Sequence, residues 1–294
     1  MCVAVSNKGI GLAIVRGLCR QLEGDVFLTS RDEERGREAV AALEREGLSP
    51  KYHQLDITDE ASVRRLKEFV LERYGGVDVL VNNAGVLFKN DSTVPPLEQA
   101  TVTIGINFTG TLNMMNAFVP MVKQHGRVVN VSSFAGTLSH LTSQSLRHQF
   151  SGRDLTQEGL VSLMEKYIVD VREGKTQESG WGDEHYHAHY AVSKLGEIAI
   201  TKVFARVMSK SGNVLEWRTD KESDSSFFSR QGRHFDQCLL PWLGSHGHGR
   251  GQGPPDPRPR RRDAHFALLA SSGKPQWRIL ERQGCSHMVE RMAQ

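Results

Sequence analysis

Paired cysteines, membrane-length apolar runs and a strong charge of either sign are all missing from this chain. Its four cysteines, Cys2, Cys19, Cys238 and Cys285, show no paired spacing. That pattern excludes a disulfide framework and a cysteine metal site, and it fits a reducing compartment. No apolar run approaches the roughly 18 residues that a membrane helix needs, and no signal-peptide pattern opens the sequence. A soluble, cytoplasmic protein with no membrane partner is the expectation. Lysine and arginine number 37 against 34 acidic residues, a net charge of +3 that is too small to argue for a nucleic-acid partner. Apolar residues make up 38% of the 294, which is low for a globular chain. Most of that shortfall lies in the last third.

The first two thirds alternate short apolar runs with amphipathic stretches, the pattern of a parallel sheet flanked by helices. Strands are expected at Cys2–Val5, Val26–Thr29, Tyr52–Gln54, Val77–Val81 and Arg127–Val131. Helices are expected at Ile10–Leu22, Asp32–Glu46, Asp59–Tyr74 with Thr58 as N-cap, Glu98–Gln124 bent near Pro120, and Tyr190–Met208. This is an α/β, doubly wound, Rossmann-like arrangement in a single domain.

Tyr190 and Lys194 stand four residues apart, so a helix places them on one face. The ammonium can then stabilise a phenolate, letting a tyrosine with a reference pKa of about 10 act as an acid near neutrality. Upstream lie Asn82-Asn83-Ala84-Gly85 and Asn130-Val131-Ser132-Ser133. In that order, within an alternating β/α pattern, these segments make a specific signal.

They resemble the short-chain dehydrogenase/reductases, and within them the monomeric NADPH-dependent carbonyl reductases. Asn7-Lys8-Gly9-Ile10-Gly11, Leu28-Thr29-Ser30-Arg31-Asp32 and His53-Gln54-Leu55-Asp56-Ile57 read like that family. The resemblance runs from about Val3 to about Ser209. It implies reduction of aldehydes, ketones and quinones with NADP(H). It also implies that Ser133 orients the carbonyl, Tyr190 donates the proton, Lys194 binds the nicotinamide ribose and lowers the Tyr190 pKa, and Asn107 holds a proton-relay water. The separation of Ser133 from Tyr190 is long for the superfamily. The segment 137–185, with an amphipathic helix at Leu155–Arg172, resembles the helical insertion that covers the dimer face in those reductases. A monomer is the expectation.

For the cofactor, Gly9 and Gly11 supply the second half of the Thr-Gly-x-x-x-Gly-x-Gly turn, where backbone N–H groups meet a pyrophosphate at a helix N-terminus. The first half is missing. Either Ala4 and Val5 occupy its places, or three residues are deleted between Val5 and Ser6. Arg31 follows the second strand, where a carboxylate would hold a ribose 2′-hydroxyl; an arginine accommodates a 2′-phosphate. Lys8 and Arg35 add charge on the same side, so NADP(H) is favoured. Asp56 and Ile57 resemble the adenine-contacting pair, and Asn83, Ala84 and Gly85 the wall beside the nicotinamide ribose. His185, His187 and His189 alternate before Tyr190. Alternate positions share no helix face, so a solvated loop is read there and no metal site.

After Ser209 no period of 2 or 3.6 is sustained, and His246–Arg262 is dense in Gly, Pro, His and Arg. By composition this is disordered or poorly folded. Cys238-Leu239-Leu240-Pro241-Trp242-Leu243-Gly244 and Arg278–Glu290 resemble the family's C-terminus read one base out of frame. The expectation is a reductase domain at 1–210 and an aberrant tail at 211–294, with the last strands of the sheet lost. A catalytically impaired isoform with at most weak nucleotide binding is the alternative reading.

Overall fold

Among the described residues six strands, rich in Val with Leu and aromatic residues, pair in parallel in the order β3-β2-β1-β4-β5-β6. They are β1 Cys2–Val5, β2 Val26–Ser30, β3 Lys51–Gln54, β4 Val77–Asn82, β5 Val122–Val131 and β6 Val214–Arg218. The computed structural model describes residues 1–5, 7–89, 91–182, 188–208 and 214–218. Eight α-helices connect and flank the strands: α1 Gly9–Gln21, α2 Glu33–Glu44, α3 Glu60–Tyr74, α4 Pro96–Thr103, α5 Thr111–Phe118, α6 Gln144–Ser151, α7 Gln157–Glu173 and α8 Ala188–Met208.

The chain runs outward from β1 to β3, then returns to the other side of β1 with β4. That reversal is the topological switch point, where open α/β sheets hold their ligands. Helices cover both faces, which is why β2 is buried at every position. One core cluster sits under α1 and α2, with Ile14, Val15, Leu18, Leu28 and Leu43. A larger one lies on the α3, α5, α7 and α8 side, around Leu66, Phe108, Met114, Met115, Phe118 and Tyr167.

The expected elements exist, with three corrections. Asp59, not Thr58, caps α3, its carboxylate accepting from the Ala61 amide at 2.9 Å. The Thr58 hydroxyl is already donated to Asp56 Oδ1 at 2.6 Å. The long helix expected over 98–124 begins at Pro96 and contains a π-helical stretch, Ile104–Gly110. It tightens to a single 3-10 turn at Val119–Met121, which contains Pro120. Val122 is already extended and pairs with Val77 of β4, so β5 begins earlier than its apolar run suggests. A register shift and the positive φ of His125 (65°) absorb the extra length. Inside the insertion, α6 was not foreseen; it is capped by Ser143, and α7 by Thr156.

One further strand lies past position 210: β6 pairs with β5 from Arg127↔Val214 to Val131↔Arg218. The run Val214-Leu215-Glu216-Trp217-Arg218 is short, but the open edge of β5 offers it a full ladder of partners. The remaining expectations for 219–294 fall outside the described residues.

Candidate active site

The crevice at the carboxyl ends of β1 to β4 has a volume of ≈ 170 Å³. Its lining includes Asn7 and Lys8 after β1, Arg31 and Arg35 after β2, Asp56 and Ile57 after β3, and Asn83, Ala84 and Gly85 after β4. Every one of these was singled out for a dinucleotide. Gly9, Ile10 and Gly11 form the first turn of α1 just behind Lys8, with Gly9 at φ 56°. That turn carries no acidic side chain, and its N-cap, Lys8, offers no side-chain cap. The positive end of the helix is thus left for an anion. Ser6 lies outside the described residues.

Charge in the crevice is concentrated on one side. Lys8 is exposed, yet partial desolvation of its ammonium and then the neighbouring Arg35 and Arg31 hold it below its ordinary pKa. Three cations therefore meet where β1 and β2 end. Arg35 is partly balanced by Asp32 at 3.4 Å, in an exposed pair. Such a cluster suits a phosphate, which would relieve the mutual repulsion. Asp56 accepts the Thr58 N–H at 2.9 Å and hydroxyl at 2.6 Å, so its carboxylate is held in a turn. The residues present fit a phosphorylated dinucleotide.

The second half of the site is built on α8. Its first turns carry Tyr190, Ser193, Lys194 and Glu197. The Lys194 Nζ lies 5.7 Å from the centroid of the Tyr190 ring. It donates to the Val131 carbonyl at the end of β5 (3.1 Å) and stands 2.6 Å from Glu197 Oε2. It is also 3.5 Å from the point where a side chain on Gly85 would begin, which joins the two halves of the crevice.

Two devices lock α8 against the sheet. Asn107, in the π-helical stretch, accepts from the Val86 N–H (2.8 Å) and donates to the Val86 carbonyl (3.0 Å) and Ser193 Oγ (2.9 Å). Ser193 Oγ in turn donates to the Tyr190 carbonyl at 2.8 Å. Both amide hydrogens of Asn107 are thereby committed to protein partners, and the residue braces the turn that carries Tyr190. The other device is a close approach: a Cβ on Gly136 would lie 2.6 Å from the Lys194 carbonyl carbon. Only glycine lets the loop after Ser133 press on α8 there. Ser133 itself is buried, its hydroxyl accepting from the Ala135 N–H at 3.2 Å, while Ser132 Oγ donates to the Lys194 carbonyl.

Beneath these residues runs a buried polar chain that no sequence pattern announced. Asn82 Nδ2 donates to Asn130 Oδ1 (2.8 Å), Asn130 Nδ2 to Thr201 Oγ1 (2.8 Å), and Thr201 Oγ1 to the Glu197 carbonyl (2.6 Å). Glu197 was also missed; its position three residues after Lys194 was the available signal. His189, expected in a solvated loop, lies in the first turn of α8, and its Nδ1 is 2.8 Å from Tyr167 Oη of α7. His185 and His187 lie outside the described residues. No cluster of potential metal ligands occurs among the described residues. A second hollow, of ≈ 160 Å³, opens between the insertion and the start of α8, lined by His140, Trp181, Ala191 and Val192 among others.

Known proteins resemble this chain in sequence and in fold. The family model for short chain dehydrogenase matches residues 1–145. The chain is 47% identical over 213 residues to carbonyl reductase 1 (NADPH) of Bos taurus, covering 71% of this chain and 76% of that protein. It is 46% identical over 209 residues to carbonyl reductase 3 (NADPH) of Rattus norvegicus, covering 71% and 74%. Among solved structures, salutaridine reductase from Papaver somniferum superposes with a TM-score of 0.65 at 28% identity, covering 74% of this chain and 84% of that one. The sheet order, the crevice at the switch point and the Tyr190–Lys194 helix, together with these matches, establish that the chain belongs to the short-chain dehydrogenase/reductase family, with the carbonyl-reductase-like members.

Proposed function

We propose that this protein reduces carbonyl compounds, namely aldehydes, ketones and quinones, to alcohols with NADPH. The observation that carries the reading is the placement of Tyr190 and Lys194 on one face of α8, with Lys194 Nζ reaching the crevice beside Gly85. When bound, NADPH supplies a hydride to the carbonyl carbon. Lys8, Arg31 and Arg35 would hold its phosphates. Asp56 and Ile57 would flank the adenine, and Asn83 to Gly85 the nicotinamide ribose.

The protein's own side chains handle the proton and the carbonyl oxygen. Ser133 donates a hydrogen bond to that oxygen. Tyr190 delivers its phenolic proton to it as the alcohol forms, and the Lys194 ammonium stabilises the phenolate left behind. Asn107 keeps the Tyr190 turn in place. The hollow lined by Trp181, Ala191 and Val192 offers an apolar wall to a substrate. The insertion covers its own apolar face: Leu160, Leu163, Met164 and Tyr167 of α7 are buried within the chain, which supports a monomer.

A second reading, a fold that binds nucleotide weakly and turns over slowly, is favoured by the missing Thr-Gly half of the phosphate turn. Titration with NADPH followed by turnover of a small quinone separates the two. Binding with turnover, abolished in Tyr190→Phe, is expected. Binding without turnover favours the second reading, and failure to bind NADPH at all overturns both.

A further inference from the structure

Glu197 has no role in the chemistry just described, yet it is a buried carboxylate in contact with the catalytic lysine. It is 1% exposed, and its Oε2 stands 2.6 Å from Lys194 Nζ, one turn along α8. Thr111 Oγ1, from the other end of the π-helical stretch, donates to its Oε1 at 3.4 Å. Burying a carboxylate is costly unless it is paired. The residue is therefore expensive to keep, and its partner is the cation on which the phenol depends.

We propose that Glu197 is a positioning residue that holds Lys194 and offsets part of its positive field at Tyr190, keeping the phenol protonated and biasing the site toward carbonyl reduction over alcohol oxidation. The inference rests on the proposed roles of Tyr190 and Lys194. Its sign follows from charge alone. An ammonium 5.7 Å from the ring centroid favours phenolate, and a carboxylate 2.6 Å from that ammonium weakens the effect. Reduction consumes the phenol proton, whereas oxidation needs the phenolate as base.

Among the described residues, few other charges are placed to set the balance. There β5 and its loop present Ser132 and Ser133, and the π-helical stretch and α5 present Asn107 and Thr111, all neutral. The titratable groups described beside the start of α8 are His189 on α8 and Tyr167 from α7, bonded to each other at 2.8 Å. Across the crevice, Lys8, Arg31 and Arg35 sit beyond Gly85. Burial holds the Glu197 carboxyl above its ordinary range, against the pull of Lys194.

The test uses the full chain and needs no turnover. Tyrosinate absorbance is titrated in the parent and in Tyr190→Phe, and the difference isolates Tyr190 among the five tyrosines. The same pair is then made with Glu197→Gln. Removing the carboxylate should lower the Tyr190 ionisation midpoint by about one pH unit, a tenfold change in its ionisation constant. Glu197→Met, apolar and of similar length, should do the same, which guards against a packing artefact of either variant. Where turnover is measurable, the basic limb of the reduction profile should move to lower pH in step. An unchanged midpoint in folded Glu197→Gln or Glu197→Met overturns the inference. So does loss of the fold in both variants, since the pair would then serve cohesion and not tuning. A Tyr190→Phe variant that still reduces carbonyls would instead sink the catalytic assignment of Tyr190, and the titration would stand as a separate result.

Discussion

At the β5–α8 end of the crevice, Asn107, Ser193, Lys194 and Glu197 are all bonded to protein and deeply buried. At the β1–β2 end, Lys8, Arg31, Asp32 and Arg35 stand exposed, and the Arg35–Asp32 pair is loose at 3.4 Å. One end is set by hydrogen bonds made during folding, in a medium where an unmet polar group is expensive. The other is set by like charges in water, where geometry is soft and salt screens the field. Reacting groups need fixed geometry, while a phosphate needs only a positive surface that can close on it.

The comparison can be broken first at Tyr190. Tyr190→Phe removes one hydroxyl and with it the proposed proton donor, so NADPH-linked quinone reduction should fall by about 10² to 10⁴-fold. A stopped-flow or steady-state assay on folded protein checks it. If the buried end is as fixed as its bonds indicate, Asn130→Ala should be next in size. It strands the Asn82 amide, at about 1–3 kcal/mol for a buried group left without a partner, and takes from Thr201 the bond it accepts while its own donation to the Glu197 carbonyl remains. Urea denaturation should show the loss, whereas a loss of a few tenths would mean that the network is slack.

At the charged end the effects are smaller and depend on salt. Arg31→Asp should cut the preference for NADPH over NADH by roughly tenfold, in line with the ~1.5–3 kcal/mol of a charge-assisted hydrogen bond. The difference should shrink as salt is raised from low to high concentration. Fluorescence titration with both nucleotides reads it, and a preference untouched by the substitution would remove Arg31 from the site.

Lys202, further along α8, sharpens the contrast by pH. Burial, then Arg206, lowers its pKa to about 8. In the unfolded chain a lysine titrates near 10.4. Between those values the unfolded state holds more protons, so stability rises with pH, and below about 8 the penalty is fully present. Lys202→Met should therefore stabilise the protein at pH 7 and lose that advantage above about pH 10.4. Denaturation curves at the two pH values test the sign.

Much of this site was legible because its parts are local. Tyr190 and Lys194 need only helical spacing; Arg31 and Asp56 need only to follow a strand. What stayed hidden depends on distant neighbours. Glu197 reads as a surface charge on a helix until α5 and β5 close over it. β6 reads as noise in a polar stretch until the edge of β5 is known to be open. Thr58 and Asp59 are both good caps, and the choice between them was made by Asp56, which holds the Thr58 hydroxyl. The end of the long helix at Met121 was hidden because Val122 is as compatible with a helix as with a strand, and its pairing with Val77 decides.

The π-helical stretch at Ile104–Gly110 acts as a phase shifter. In a regular α-helix each residue advances the angle by about 100°. The wider turn delays that advance, and across it Asn107 meets Val86 and Ser193 while Thr111, four residues on, meets Glu197 one turn further along α8. Deleting one residue from the stretch would leave an unbroken α-helix and a preserved sheet. It would also rotate everything on one side of the deletion by about a quarter turn. The same chemical groups would still be present, pointing at the wrong partners.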